Sequence, residues 1–370
     1  MINNLQINEE LCGELWPFIQ DENVTDIKWN GSALWIDDLN KGRYMLKDDE
    51  GNPKRLETKF LEIFCSKVAN ANNVSFNYSN PSLMAETPEL RIQAQHPHIT
   101  GDSTINLAIR KTPAVSRLAN QDLKATEYAD EIILNLLPCL IRARLSGIVT
   151  GDVGSGKTEL QKWMIGFIPL VDGIYTVEDT LEIKAKVLYP EKDIISIKYN
   201  DKYTEEQAIK DCLRLMCKWL ILAEARGKDI AKVLEGASTG CTALCTIHSE
   251  NTWDVPDRIM NMIGDDAKFN TKNDVYTFFS YAIKVSKHIT ENRITRNIEQ
   301  LSFFTREFGI NKTINFLVDG KLTGEKIPEM ILNKFKHSNE LGEYEKYEQV
   351  FFNTYNERMK EFEQKEGNNG

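Results

Sequence analysis

Residues 151 to 158 read Gly-Asp-Val-Gly-Ser-Gly-Lys-Thr and fill every fixed position of G-x-x-x-x-G-K-[ST]. This motif constrains the fold more than any other feature of the chain, because it works only as the turn between a buried strand and a helix. Both flanks comply: residues 146–150 form a short apolar run that reads as the strand, and residues 159–168 read as the helix. In such a turn the glycines let successive backbone N–H groups converge on phosphate oxygens, and the helix N-terminus adds its partial positive charge. Lys157 is expected to reach the β and γ phosphates of a nucleotide and Thr158 to place its hydroxyl on Mg²⁺, with Gly151, Gly154, Ser155 and Gly156 completing the cradle. A ligand-free Gly-rich turn has no need of lysine and threonine in that order. ATP and Mg²⁺ are therefore the expected cofactors.

With 370 residues the chain is long enough for about two domains. The first ten residues are polar and acidic with no apolar stretch of the signal-peptide kind. The longest greasy run, 132–149, is interrupted by Pro138, Arg142 and Arg144, so it reads as a core helix followed by a strand rather than a transmembrane segment. Seven cysteines, an odd number, fit free thiols in a reducing cytoplasm. Cys212, Cys217, Cys241, Cys245 and His248 invite a zinc reading, but the paired C-x2-C spacing of a structural site is missing and buried thiols are the better expectation. A net charge of −10 argues against stable nucleic-acid binding, which needs a basic face to displace counterions.

Three segments emerge. Residues 1–111 mix short strands and helices in a small α+β domain, with a hairpin around Asn30-Gly31, a helix over 59–69, and strands at 90–94 and 105–109. Residues 112–125 read as a linker. From 126 to 310 a helix leads into the P-loop strand, and strand and helix then alternate as in a mostly parallel sheet covered on both faces. The strand candidates 174–177, 220–223 and 242–247 each run into a chemically loaded residue: Glu178-Asp179, Glu224 and His248. Ligands of such sheets collect at those carboxyl ends. Residues 311–370 close with Tyr344, Tyr347, Phe351, Tyr355, Met359 and Phe362 at spacings of three and four, one apolar stripe on a helix that packs on the body or on a neighbouring subunit.

Hydrolysis needs more than a phosphate cradle, since water must be oriented and charge on the γ-phosphate met by cations. Glu178 at a strand end suits Mg²⁺ and its waters, Glu224 is placed to polarise water, and His248 stands where a γ-phosphate sensor would sit. Arg91 and Arg110, on strands of the first domain, could add cations from outside the core.

In this order the residues resemble the secretion ATPases of type II and type IV systems, a family that includes the motors of type IV and tight-adherence pili. Val24-Thr25-Asp26-Ile27 with Asn30-Gly31, Pro81 to Ala85 through Arg91, and Ile109-Arg110-Lys111 are similar to its N-domain. Val177 to Ile183 resembles its Asp box, Leu222 to Gly227 its Walker B element, Ser238 to Ser249 its His box, and Arg293 falls in a pair similar to its closing strands. The resemblance covers about residues 15 to 305. Cys241, Cys217-Lys218 and Ala223 depart from the family pattern, and a C-x2-C pair of the type II branch is absent, which favours the conjugation and type IV secretion branch with tight-adherence motors close behind.

The resemblance implies an α+β N-domain joined to a RecA-like P-loop domain with a helical C-terminal tail. It further implies a homo-oligomer of six copies, with Arg91 and Arg110 as phosphate or sensor arginines. The expected function is a cytoplasmic ATPase, peripheral to the inner face of the membrane and docked on inner-membrane components of a secretion, conjugation or pilus machine. Two alternatives stand beside it: a non-hydrolysing nucleotide-binding subunit, and a nucleic-acid-stimulated motor of the same core fold.

Overall fold

The computed structural model describes residues 5–264, 270–290, 293–337 and 345–367. The chain divides into two compact units, one comprising Met1–Ala114 and His288–Thr295, the other Val115–Lys287 and Arg296–Gly370.

The first unit is built on a six-stranded antiparallel sheet. Its strands are β1 (Val24–Trp29), β2 (Leu34–Asp38), β3 (Gly42–Met45), β4 (Ser82–Glu86), β5 (Leu90–Gln95) and β6 (Asn106–Lys111), in the order β3-β2-β1-β6-β5-β4. The β1–β2 turn forms because Asn30 Oδ1 accepts from the amides of Ser32 and Ala33. Alternation does the rest: Leu90, Ile92 and Ala94 on β5, and Leu107 and Ile109 on β6, are buried, together with Leu61, Phe64 and Val68 of the helix Thr58–Ala71. The intervening residues, Arg91 and Arg110 among them, lie on the opposite face.

The second unit holds a nine-stranded sheet. Its strands are β7 (Gly147–Thr150), β8 (Ile174–Glu178), β9 (Ile194–Lys198), β10 (Trp219–Leu222), β11 (Thr242–Thr246), β12 (Tyr281–Thr290), β13 (Arg293–Glu307), β14 (Ile310–Val318) and β15 (Lys321–Leu322). The order is β15-β14-β13-β12-β7-β11-β10-β8-β9, parallel from β12 through β9 and antiparallel from β13 to β15. The parallel strands are apolar on both faces, as a doubly covered sheet requires. Trp219 and Ile221 of β10, Leu244 of β11 and Val149 of β7 join one core cluster; Leu220, Leu222, Ala243, Cys245 and Ile148 join the other. Cys212 and Cys241 are buried on that second face too. The architecture is the expected α/β class: a smaller β-rich N-terminal unit, a larger sheet unit carrying the P-loop, and a helical end.

Two segments differ in detail from the sequence reading. The helix leading to the P-loop strand starts at Glu131 rather than 126, because Asp122 Oδ1 holds the amides of Lys124 and Ala125 in a turn and Asp130 caps the amide of Ile132 at 3.0 Å. The segment 311–370 opens with β14 and β15 before its helices begin. On the final helix, Glu345–Gly367, Phe351, Tyr355 and Met359 are buried in the core shared with the helix Glu131–Arg142, and Tyr347 and Phe362 pack beside them; Tyr344 lies outside the described residues. No helix among the described residues is long and apolar enough to cross a membrane.

Candidate nucleotide site

The P-loop leaves β7 and enters the helix Lys157–Ile165. Gly151 is there for closeness: a Cβ would run into the Val285 carbonyl and come within 2.8 Å of Ser155 Oγ. Gly156 is there for conformation, with φ +103 at the helix start, where no side chain caps the first-turn amides. Those amides are left for a ligand. Ser155 Oγ is fully buried without a hydrogen-bond partner, a polar atom waiting inside the loop.

Two cations and an imidazole meet the loop's own carbonyls. Lys157 Nζ donates to Gly151 O at 2.8 Å and Asp152 O at 3.0 Å, His248 Nδ1 lies 3.1 Å from Gly151 O, and Arg296 Nε donates to Gly154 O at 3.2 Å. Burial pulls the Lys157 ammonium below its ordinary range, opposed by the charges of Glu224 and Asp152. Uncapped amides, a waiting hydroxyl and gathered cations fit a polyphosphate. Thr158, half-buried in the first turn, fits a magnesium ligand.

Glu224 is placed by the sheet. Ala223 donates its amide to Val177 O of β8 and Ala225 donates to Thr246 O of β11, while Gln161 of the P-loop helix grips the carbonyls of Leu222 and Leu244. His248 is placed by its neighbours: Ile247 N donates to Val149 O, and the Thr150 hydroxyl and the Ser249 backbone bond each other. These anchors bring the two side chains together, with His248 Nε2 at 3.1 Å from Glu224 Oε1. The other Glu224 oxygen accepts from Arg226 Nη2 at 2.6 Å, and Arg226 Nη1 reaches Asp179 Oδ2 at 3.2 Å. Burial pushes the Glu224 carboxyl up, but the bond and charge of Arg226, aided by His248 and Lys157, hold it below the usual carboxylate range. Arg226 is the part of this network that motif reading did not single out.

Glu178 is occupied differently from the expected magnesium role. It is 1% exposed, and its Oε2 accepts from the amides of Glu182 and Ile183, both at 2.8 Å. Burial pushes its carboxyl up to about 7 against those two bonds. Cys241 precedes β11 and His248 follows it, so about 20 Å of strand separates the thiol from the phosphate end. A cavity of about 450 Å³ opens beside His248, its wall carrying Glu250, Asp254 and Asp257 against one guanidinium, Arg258, an acidic balance that disfavours an anion there.

Arg91 and Arg110 belong to the first unit and face each other across β5 and β6. They sit in one charged row that crosses the whole sheet in register: Glu86, Arg91, Arg110, Asp26, Asp37, Arg43. Arg110 Nε bonds Asp26 at 2.8 Å. The side chain of Arg293 lies outside the described residues.

A family model described as "Type II/IV secretion system protein" matches residues 82–330. An uncharacterised protein of Bacillus anthracis is 25% identical over 288 residues, 76% of this chain and 64% of that relative, so the match spans under two thirds of the relative's length. Type IV secretion system protein VirB11 of Bartonella henselae is 22% identical over 277 residues, 63% of this chain and 74% of that one. Among solved structures, the ATPase DotB of Yersinia pseudotuberculosis aligns with a TM-score of 0.60 at 16% identity, covering 86% of this chain and 82% of its own, which shows a common fold. The matched span runs from β4 through the P-loop, Glu224 and His248 into the closing strands, and the chain belongs to the type II/IV secretion system protein family.

Proposed function

We propose that this chain is an ATPase that, as a ring of six copies on the cytoplasmic face of the cell membrane, hydrolyses Mg-ATP to power protein or DNA secretion or pilus assembly. The observation that supports this best is the run of contacts from Asp179 through Arg226, Glu224 and His248 to Gly151, which links the acidic strand ends to the P-loop. In this reading the amides from Gly154 to Thr158 and the Lys157 ammonium hold the β and γ phosphates. Thr158 would hold magnesium, which would supply positive charge to the phosphates. Glu178 serves the metal side by fixing the loop whose amides it binds.

Lys157 exchanges two loop carbonyls for phosphate oxygens. His248, now shared between Gly151 O and Glu224, gains a third candidate acceptor in the γ-phosphate and releases Glu224 Oε1 to orient water. Arg91 and Arg110 act as phosphate or sensor arginines from the first unit, and the machine's inner-membrane components are the partners.

Orientation of water by a carboxylate is worth 10²- to 10⁴-fold, or about 3 to 5 kcal/mol of barrier. Glu224→Gln should therefore retain nucleotide binding while phosphate release falls at least about a hundredfold. Turnover that survives the change removes Glu224 from this role. A wild-type chain that binds ATP and releases no phosphate is a non-hydrolysing subunit, and one that turns over only with added DNA or RNA is a nucleic-acid motor.

A further inference from the structure

Arg296 stands 139 residues beyond Lys157 in sequence, outside every nucleotide-binding motif of the chain, yet its side chain lies on the P-loop. Arg296 donates Nε to Gly154 O at 3.2 Å, and its Cδ is 3.4 Å from where a Cβ of Gly156 would stand. The strand beneath it is firmly held. Ile298 N donates to Tyr128 O at 2.7 Å, Gly320 N donates to Glu299 O at 2.8 Å, and Ile298 is buried in the core. Arg296 is thus presented to the loop by a fixed backbone.

We propose that Arg296 is a positioning residue of the phosphate site, an inference that rests on the nucleotide-binding reading above. In a trans peptide the carbonyl of Gly154 and the amide of Ser155 point opposite ways, so holding that carbonyl outward keeps that amide turned into the loop. The Ser155 amide donates to Asp152 O at 3.2 Å, the same carbonyl that Lys157 uses. A polyphosphate takes over both donors at once, and Arg296 holds the loop in register while it does so. The ligand class is any molecule with a β-phosphate, with pyrophosphate as the minimal member.

The test titrates ADP and pyrophosphate into the full chain by calorimetry, for wild type, Arg296→Ala and Arg296→Met, and measures KM and kcat for ATP. Methionine keeps the aliphatic stem against Gly156 and removes the donor, so it carries the test if the alanine variant does not fold. Expected are a weakening of about tenfold for both ligands, the same rise in KM, and kcat within about threefold of wild type. Unchanged pyrophosphate affinity in a folded variant, or a fall in kcat at unchanged KM, overturns the assignment. A wild-type chain that binds pyrophosphate but hydrolyses nothing sinks the ATPase reading alone, and the titration still decides Arg296. A wild-type chain that binds neither ligand sinks both.

Discussion

Glu224 lies between the Arg226 guanidinium and the His248 imidazole, and that placement sets its working range. Its neighbours Arg226 and His248 each take one carboxylate oxygen, so the group stays ionised well to the acid side of neutrality. With Arg226→Gln the largest favourable partner is lost while the burial remains, so the Glu224 carboxyl rises and the acid limb of the kcat profile moves to higher pH. Because the Arg226 side chain is 55% exposed, water screens part of the effect. A pH–rate profile checks this; an acid limb that stays in place would mean that Arg226 does not tune Glu224. Lys157→Ala should act differently, weakening ADP binding at least about tenfold in calorimetry, since the group meets ligand in the ground state. Of these residues, Lys157, Glu224 and His248 were legible from the chain because local spacing encodes them. Arg226 was legible only as part of a motif, and Arg296 not at all, since only the order of the strands carries β13 to the loop.

At the scale of elements, the closing helix shows how far periodicity reaches. Its stripe of three- and four-residue spacings was readable, and Phe351 is fully buried, 5.5 Å from the Tyr355 ring in a stacked arrangement and 5.7 Å from Phe335 edge-on. Tyr355 also accepts the Ile327 amide at 3.1 Å, and Arg358 pairs with Asp130 at 3.2 Å. The helix is therefore part of the second unit's core rather than an appendage. Phe351→Ala should cost about 3 to 5 kcal/mol and lower the melting temperature by about 10 °C. A drop under about 2 °C in a thermal melt would show that the helix contributes no cohesion. The strands before it were less legible. Ile314 and Phe316 of β14 alternate with polar residues, but such a strand is recognisable only once its partners are known: β15 on one side, and on the other β13 through a seven-residue register from Leu301 to Glu307. The start of the helix Glu131–Arg142 was blurred for a smaller reason, since two aspartates competed to set it.

For the whole molecule, two buried carboxyls tie stability to pH. Glu178 rises to about 7 through burial, and Glu205 rises to about 8 through burial and the charge of Asp229, eased by Tyr199 and Arg226. Both lie near the site, Glu178 at the end of β8 and Glu205 at the start of the helix Glu205–Arg214, where Thr204 and Gln207 form a capping box. The folded chain keeps protons that the unfolded chain, with carboxyls near 4.5, has already released. Stability is then fully present below about pH 4.5 and declines as pH rises through about 7 for Glu178 and about 8 for Glu205. Glu205→Gln places a neutral amide where the folded protein prefers a neutral carboxyl. At pH 8.5 the variant should be more stable than wild type by about 2 kcal/mol, seen as a melting temperature about 5 °C higher, and near pH 5 the two should melt together. A difference between variant and wild type that stays constant from pH 5 to 8.5 would show that Glu205 is ionised in the folded protein throughout, with Arg226 rather than burial deciding its charge.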